Sequence, residues 1–353
     1  MDRKMIQDYK KHLIRSGAPL KIALEMLNEL AADAILFVVD AEFKLVGSLT
    51  DGDVRRGFLK GLAFEDDVDK FIQPNPNFLK KSSYSIGKVI EFRNRNFKVI
   101  PILDDELRVI TILNFRIQKS YLPIDAIVMA GGRGERLKPM TDTVPKPLLT
   151  VGSKPIIQHN LDRLFKYGVD DIWITIRYLG QKIKEVVGTG QNQGVKIKYI
   201  EEEVPLGTIG AVRLIKDFKH PYVLVSNSDL LTNLDYEDFF VDFINQQADL
   251  SVVTIPYTVN IPYAVLETNN RYVVSFKEKP DYTYYSNGGI YLIKREVLQL
   301  IPENSFFNAT DLMEVLIKQN KKVISFPLHG YWLDIGKPDD FVKAQVDIKH
   351  ISF

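Results

Sequence analysis

The sequence predicts a two-domain α/β protein whose larger, C-terminal domain contains a mostly parallel β-sheet. From residue 124 onward, strand-like and helix-like stretches alternate, which is typical of a parallel sheet covered by helices. Residues 1 to about 120 instead contain a weak internal repeat at an offset of 64 residues. The chain has 353 residues, which is long for a single hydrophobic core. We therefore expect one domain over residues 1–120 and a second over residues 124–353.

The hydrophobic pattern predicts the elements of the C-terminal domain. Strands are expected over residues 126–129, 172–176, 195–200, 222–225 and 250–255. Helices are expected over residues 156–167, 209–217 and 236–247. Ligands of such sheets bind at the carboxyl ends of the strands, so polar residues that directly follow a strand are candidate site residues.

The composition of the chain limits the binding partners and the cellular compartments that are expected for the protein. The formal net charge is +1, which gives no reason to expect nucleic acid or a membrane surface as a partner. The chain has no cysteine, which excludes disulfides and thiolate sites and fits a reducing compartment. Residues 1–10 are charged and lack the apolar core of a signal peptide, and no apolar run approaches the ~20 residues that span a bilayer. We expect a soluble, cytoplasmic protein.

A glycine-rich stretch directly follows the strand predicted over residues 126–129. Its glycines allow a tight turn in which backbone N–H groups approach a ligand, and such a turn after a parallel strand suits phosphate. Arg136 adds a planar cation for phosphate oxygens, and Lys146 adds a point charge between two prolines that stiffen its loop. The glycines of this stretch are Gly131, Gly132 and Gly134.

Two better-known phosphate-binding motifs do not fit this stretch. A P-loop needs Lys-Ser/Thr after the glycines, and a dinucleotide fingerprint starting at Gly132 would need glycine in place of Leu137. Residues 131–147 instead resemble the signature of sugar-1-phosphate nucleotidyltransferases, Gly-Gly-x-Gly-Thr-Arg-Leu-x-Pro-x-Thr-x-x-x-Pro-Lys-Pro, with Glu135 replacing the threonine. The resemblance implies a Rossmann-like (GT-A-like) nucleotidyltransferase domain in which Ala130 and the three glycines bind the nucleotide.

A candidate metal site lies at the end of a second strand. Asp229 follows the strand over residues 222–225, where its carboxylate can bind Mg²⁺, although a strand-end aspartate alone is more often a helix cap or a turn residue. The family resemblance adds Asp334, in the stretch 331–336, as the second metal ligand. It also implies that Arg136, Lys146 and Asp229 are the catalytic residues and that Mg²⁺ is the cofactor.

The stretch Glu202–Thr208 resembles the base-reading loop of this family. Gly207 would let a base lie against the backbone, and Glu202 could accept two hydrogen bonds from guanine, which presents N1–H beside its 2-amino group. The alternative is that residues 201–203 are a solvated acidic turn. This interpretation favours GTP and leaves UTP, dTTP and CTP open.

Two further stretches resemble the sugar-side segments of the family. They imply that Glu278 accepts hydrogen bonds from sugar hydroxyls, that Lys279 neutralises the sugar phosphate, and that Asn287 binds a ring hydroxyl. Without the resemblance, the lysines around Glu278 would be interpreted as a solvated strand edge.

The repeated units of the N-terminal domain each contain a helical pattern, over residues 22–30 and 86–92, followed by two strands. After the first unit, residues 47–56 resemble the ligand segment of CBS domains, which implies a regulatory nucleotide held by Thr50 and Asp53. The same offset places Asn114 and Ile117 in the second unit, so its polar pair is missing. The alternative is that this tandem CBS-like domain only scaffolds dimerisation.

The order of the two domains resembles glucosamine-1-phosphate guanylyltransferases of legionaminic acid pathways. The implied reaction converts an NTP and a sugar 1-phosphate into an NDP-sugar and pyrophosphate, in a chain that we expect to form a homo-oligomer. A glycosyltransferase would need an Asp-x-Asp motif where the chain has Asn227-Ser-Asp229. A non-catalytic nucleotide sensor would have lost Arg136, Lys146 or Asp229, and all three are present.

Overall fold

A computed structural model describes residues 8–190 and 195–351 of the chain. The chain divides into two compact units. Unit 1 comprises Met1–Leu122, Phe165–Asp170 and Gly190–Val195, and unit 2 comprises the rest. The first seven residues, over which the sequence predicts no signal peptide, lie outside the described ranges. None of the helices in the described ranges is long and apolar enough to cross a membrane.

The N-terminal unit contains two three-stranded sheets built in the same way. In each sheet the first strand pairs in parallel with the second, and the second pairs antiparallel with the third. A helix joins the first and second strands of each sheet, in agreement with the predicted helical patterns. The first half contains β1 (Leu13–Arg15), α1 (Leu20–Leu30), β2 (Leu36–Val39), β3 (Leu45–Leu49) and α2 (Asp51–Leu59), and the second contains β4 (Leu79–Lys80), α3 (Ile86–Asn94), β5 (Val99–Leu103) and β6 (Val109–Asn114).

The two halves of this unit meet through a pair of equivalent hydrogen bonds. The backbone N–H of Leu45 donates to the carbonyl of Leu107, and that of Val109 donates to the carbonyl of Phe43, each over 3.0 Å. Both donors and both acceptors are separated by the 64-residue offset of the sequence repeat. The same contact is therefore made twice, as in a local twofold arrangement.

The C-terminal unit is built on a seven-stranded, mostly parallel sheet, as the sequence predicts. Its strand order is β11-β10-β7-β12-β17-β14-β18, and only the pairs that include β17 are antiparallel. Strand β10 is buried along its whole length, as expected for a sheet covered on both faces. The elements are β7 (Ile124–Ala130), β8 (Thr150–Val151), β9 (Lys154–Pro155), α4 (Ile156–Lys166), β10 (Asp171–Ile176), α5 (Gly180–Val187), β11 (Lys196–Glu201), β12 (Tyr222–Asn227), β13 (Leu230–Thr232), α6 (Tyr236–Asn245), β14 (Leu250–Asn260), β15 (Val265–Asn269), β16 (Tyr272–Lys277), β17 (Asp281–Lys294), α7 (Ala309–Lys318), β18 (Val323–Pro327), β19 (Trp332–Asp334) and α8 (Pro338–Asp347).

One predicted helix of this unit is wrong. Residues 209–217 contain only a short 3₁₀ helix over Gly210–Leu214. Ile209, Val212 and Ile215 are all buried in the core, and their three-residue spacing puts them on one face of a 3₁₀ helix. Core packing therefore favours i→i+3 hydrogen bonds over the α-helix that the hydrophobic pattern predicts.

The outer parts of β14 and β17 extend beyond the other strands of the sheet. Together with the β15–β16 hairpin they form a protrusion over residues 256–286, which we call the arm. The strand predicted over residues 250–255 is therefore longer than expected, because it continues into the arm to Asn260.

Candidate active site

Four parallel strands of the C-terminal unit end side by side. In the register of the sheet, Glu201 at the end of β11 pairs with Ile176 at the end of β10, and Ile176 pairs with Ala130 at the end of β7. Strand β12 ends next to them at Asn227. A pocket of about 540 Å³ opens at these carboxyl ends, where the sheet topology predicts a ligand site.

The glycine loop forms one wall of this pocket. Gly134 has a positive φ of 65° and accepts a 2.9 Å hydrogen bond from the buried hydroxyl of Thr141. A Cβ atom on Gly134 would lie 3.0 Å from Cβ of Lys146 and 3.1 Å from Cγ2 of Thr141. Glycine is needed here both for the backbone conformation and for packing, and the loop is fastened to the segment that carries Lys146.

Arg136 and Lys146 have different surroundings in this loop. Arg136 is exposed and lines the pocket, so its guanidinium is available to a ligand. Lys146 is buried, and its ammonium donates to Oδ2 of Asp229 and lies 3.8 Å from Oδ1 of Asp334. The predicted catalytic lysine and both predicted metal-binding carboxylates therefore meet at one point.

The two aspartates fit a divalent cation. Strand β13 pairs with β19 so that Leu230 lies opposite Asp334, which brings Asp334 beside the loop of Asp229. Burial and the charge of Asp229 raise the pKa of the Asp334 carboxyl, against the effect of Lys146. Oδ1 of each aspartate is buried and has no hydrogen-bond partner within the described part of the chain. A pair of buried carboxylate oxygens with capacity to accept is the donor set that Mg²⁺ prefers.

A buried amide holds the loop that carries Asp229. Asn160, on helix α4, is 4% exposed, and its Nδ2 donates to the carbonyls of Ile156 at 3.1 Å, Ser228 at 3.3 Å and Leu230 at 3.0 Å. The residues on both sides of Asp229 are thereby tied to one helix, so the position of the carboxylate depends on Asn160.

Glu202 lies beneath the glycine loop and is 8% exposed. It accepts a 3.3 Å hydrogen bond from the backbone N–H of Leu206. Burial raises the pKa of the Glu202 carboxyl, although hydrogen bonds from Leu206 and Thr175 and the charge of Arg177 oppose this effect. A Cβ atom on Gly131 would lie only 2.6 Å from Oε1 of Glu202, so this approach of loop and carboxylate requires glycine. Glu202 is therefore a buried acceptor inside the pocket and not part of a solvated turn.

The pocket collects most of the predicted residues but not those assigned to the sugar. Glu278 and Lys279 are exposed on the arm and do not line the pocket. Asn287 accepts hydrogen bonds from the N–H of Gly289 at 2.9 Å and from the hydroxyl of Tyr291 at 3.0 Å. The predicted residues that line the pocket are Ala130, Gly131, Gly132, Gly134, Arg136, Lys146, Glu202, Gly207 and Asp229.

Some residues of the pocket are not among the site residues predicted from the sequence, and three of them are Thr175, Arg177 and Phe306. Thr175 lies near the end of β10, Arg177 directly follows β10, and Phe306 precedes helix α7. Nε of Arg177 is buried and has no hydrogen-bond partner in the ranges that the structure describes. The strand-end rule that indicates the glycine loop and Asp229 would also have indicated Arg177, whereas Phe306 carries no local signal.

The fold and the pocket together define a nucleotide-binding α/β enzyme domain. Residues 125–350 match the protein-family model described as nucleotidyl transferase, and the chain belongs to this family. Membership confirms the enzyme class that the glycine-loop signature predicts.

Known relatives cover the same part of the chain. The bifunctional protein GlmU of Methanocaldococcus jannaschii is 31% identical over 228 residues, which are 63% of this chain and 53% of that protein. The D-glycero-alpha-D-manno-heptose 1-phosphate guanylyltransferase of Aneurinibacillus thermoaerophilus is 30% identical over 233 residues, which are 64% of this chain and 99% of that protein. The chain thus spans about half the length of the first relative and nearly all of the second.

A solved structure shows the same fold. The crystal structure of HddC from Yersinia pseudotuberculosis aligns with a TM-score of 0.50 and 26% sequence identity, over 64% of this chain and 99% of that one. The fold similarity therefore extends over the whole of that protein.

Replacing Asn160 by alanine should destabilise the C-terminal unit. The change removes the donor to two carbonyls that flank Asp229, and an unsatisfied buried group costs about 2 kcal/mol. Urea unfolding monitored by tryptophan fluorescence measures this loss, because both tryptophans lie in this unit. Gln158→Ala on the same helix is the control, since it removes only a hydrogen bond to Asp162 four residues later. Equal losses in the two variants would contradict the role assigned to Asn160.

Proposed function

We propose that the protein transfers a nucleotidyl group from an NTP to a sugar 1-phosphate and releases pyrophosphate. The observation that carries this proposal is the convergence of Arg136, Lys146, Glu202 and Asp229 on the pocket of a nucleotidyl transferase domain, with Asp334 beside Lys146. Cations for a triphosphate, an acceptor for a base and ligands for a metal ion are the groups that this reaction needs.

The reaction requires no general base, because the attacking oxygen of the sugar phosphate is already ionised. This oxygen forms a bond to the α-phosphorus of the NTP, the bond between the α-phosphorus and the bridging oxygen breaks, and pyrophosphate leaves. Arg136 and the N–H groups of the glycine loop bind the β- and γ-phosphates that leave. Lys146 binds the α-phosphate. Catalysis is then positioning and charge neutralisation.

Lys146 gains a phosphate partner during the proposed cycle. In the structure its ammonium is paired with Asp229, and because an ammonium has three N–H donors it can bind a phosphate while a carboxylate still accepts from it. Asp229 and Asp334 would hold Mg²⁺, which supplies positive charge to the phosphate oxygens that become more negative. The carboxylates thus hold Lys146 in place before the substrate binds.

Lys146→Ala and Asp229→Ala should each lower kcat by roughly 100-fold or more, because each removes charge that stabilises the transition state. Pyrophosphate release under saturating substrates measures the effect, and circular dichroism checks the fold. Arg133→Ala is the matched control from the same loop, since Arg133 is exposed, faces Glu135 at 3.8 Å and does not line the pocket. Turnover within a few-fold of wild type in either test variant would refute the mechanism.

The proposed nucleotide is GTP. Glu202 is buried in the pocket, and burial raises the pKa of its carboxyl because it disfavours the ionised form. Two N–H donors on one ligand would stabilise the ionised form. Guanine presents such a pair at N1 and N2, whereas uracil and thymine present one N–H between two carbonyls. The relative from Aneurinibacillus thermoaerophilus, named as a guanylyltransferase, supports the same base.

Glu202→Gln should change the choice of base. The substitution keeps the shape of the side chain but replaces one acceptor by a donor, so GTP should lose about 2 kcal/mol of transition-state binding, or roughly 30-fold in kcat/KM. The value for UTP should fall less or rise, because uracil offers a carbonyl to the new donor. Parallel assays with both nucleotides provide the comparison, and Glu203→Gln is the control at the neighbouring position, which does not line the pocket. Equal losses for the two nucleotides would place base recognition elsewhere.

The proposed sugar substrate is glucosamine 1-phosphate, with Glu278, Lys279 and Asn287 as its contacts. This part of the proposal is supported by the resemblance to guanylyltransferases of legionaminic acid pathways. The proposed enzyme is a cytoplasmic homo-oligomer. A pyrophosphate-release screen of four NTPs against a panel of sugar 1-phosphates tests the pair directly. Preference for another sugar, or for UTP, dTTP or CTP, would replace this assignment while leaving the reaction class intact.

We also propose that the N-terminal unit is a CBS-domain pair that binds one regulatory nucleotide. A cavity of about 620 Å³ in this unit is lined by residues that include Thr50, Asp53, Arg56 and Lys98. Its volume and its polar lining suit a nucleotide. Thr50 and Asp53 also form a capping box at the start of α2, with a 2.6 Å hydrogen bond from the threonine hydroxyl to Oδ2 of Asp53.

The equivalent positions of the second half support a single site per chain. The side-chain oxygen of Asn114 accepts a 2.9 Å hydrogen bond from the N–H of Arg116 and so closes a local turn. Ile117 is exposed and offers no polar atom from its side chain.

Asp53→Ala should abolish nucleotide binding at the N-terminal unit. Calorimetry uses the full chain carrying Lys146→Ala and Glu202→Gln, which removes the proposed contacts of the catalytic pocket with a nucleoside monophosphate. Titration with adenine, guanine and cytidine monophosphates should give one site per chain before the Asp53 change and none after it. Asp311→Ala removes an equivalent capping box from α7 and is the control for loss of a helix cap. Two equal sites, or no binding of any of these nucleotides, would leave the unit as a dimerisation scaffold.

A further inference from the structure

Phe306 is a large aromatic residue that is exposed in the wall of a polar pocket. Its side chain is 64% exposed, and it lines the pocket at the carboxyl ends of the parallel strands. The next residue, Phe307, is half-buried and packs against the hydrophobic core of the same unit. Of two consecutive phenylalanines, one therefore contacts the core and the other lines the pocket. Core packing explains Phe307, whereas it does not explain an aromatic residue at position 306.

The segment before helix α7, which carries this ring, is fastened to the loop of residues 202–208. The backbone N–H of Phe307 donates to the carbonyl of Leu206 over 3.0 Å. The N–H of Thr208 donates to Oδ1 of Asn308 over 3.2 Å, and the hydroxyl of Thr208 accepts from the N–H that begins α7 over 2.9 Å. Hydrogen bonds in both directions thus hold the exposed ring at a fixed place beside this loop.

Gly207 allows the two segments to approach each other this closely. It has a positive φ of 78°, and a Cβ atom on it would lie 2.6 Å from the carbonyl oxygen of Phe307 and 3.0 Å from Oδ1 of Asn308. A side chain at this position would push the segment before α7 away from the loop. The glycine is therefore required for the placement of the aromatic segment.

Leu206 connects this segment to the buried acceptor of the pocket. Its N–H donates to Oε2 of Glu202 over 3.3 Å, and its carbonyl accepts from the N–H of Phe307. The exposed ring and the Glu202 carboxylate are therefore joined through a single residue. A carboxylate binds a base at its edge and leaves the face of the base uncovered. An aromatic ring suits that face, because every base has a π-face on which such a ring can stack.

We propose that Phe306 stacks on the base of the bound nucleotide. This inference rests on the proposed function, because it takes the base to lie beside Glu202. The two residues have different tasks. Glu202 distinguishes bases by the hydrogen-bonding groups of their edges, whereas stacking on Phe306 is open to every base and adds affinity.

Replacing Phe306 by alanine should raise the KM for GTP roughly 10-fold, because a stacked base loses its aromatic partner. The value of kcat should change less than about 2-fold, since the stack forms in the ground state and the transition state alike. Phe306→Tyr keeps the ring and should retain the wild-type KM, whereas Phe306→Leu keeps an apolar side chain without a π-face and should resemble the alanine variant. Val204→Ala is the matched control, since Val204 is 56% exposed on the same loop but does not line the pocket.

A fluorescence titration tests the stack without turnover. Phe306→Trp places an indole at the same position, and the wild-type chain supplies the baseline, since Trp173 and Trp332 do not line the pocket. GTP should quench the added fluorescence, whereas inorganic tripolyphosphate, which has no base, should not. Quenching by both compounds, or by neither, would overturn the proposal.

The two measurements separate this inference from the proposed reaction. An unchanged KM in Phe306→Ala, or a wild-type KM in Phe306→Leu, would overturn the stack while pyrophosphate release from GTP upheld the reaction. Quenching by GTP alone, in a chain that releases pyrophosphate from none of the four NTPs, would refute the reaction and support the stack.

Discussion

The ion pair between Lys146 and Asp229 is the interaction on which the rest of the pocket depends. It joins the loop after β7 to the loop after β12, and Asp334 from β19 lies close to the same ammonium. Two half-buried carboxylates in one place repel each other, and their buried oxygens are costly without a compensating charge. The ammonium of Lys146 reduces this cost.

The supports of this ion pair come from outside the reacting groups. Thr141 ties Gly134 to the segment that carries Lys146, and Asn160 ties both neighbours of Asp229 to helix α4. Neither residue lines the pocket, yet each limits where a charged atom can lie. Such supports from outside the pocket hold the charged groups of a loop-built site in place, which the proposed phosphoryl transfer requires.

The sequence predicts the pocket well because its signals are local. Glycines after a buried strand and an aspartate at a strand end follow general rules of parallel sheets, so the strand order brings them together. The 3₁₀ helix over Gly210–Leu214 is not predicted because its conformation depends on tertiary packing. The arm is not predicted because its hydrophobic residues are exposed, so they do not mark the core. Arg177 obeys the strand-end rule but belongs to no motif, and Phe306 reaches the pocket only through the folded chain.

The contact between Gly131 and Glu202 has an evolutionary consequence. A side chain at position 131 would collide with the carboxylate, so the loop proposed to bind the phosphates and the residue proposed to bind the base share one space. A larger residue at position 202 would push on the glycine loop. Under the proposed roles, base choice and phosphate geometry are therefore coupled, and a lineage can alter one only within the space that the other leaves.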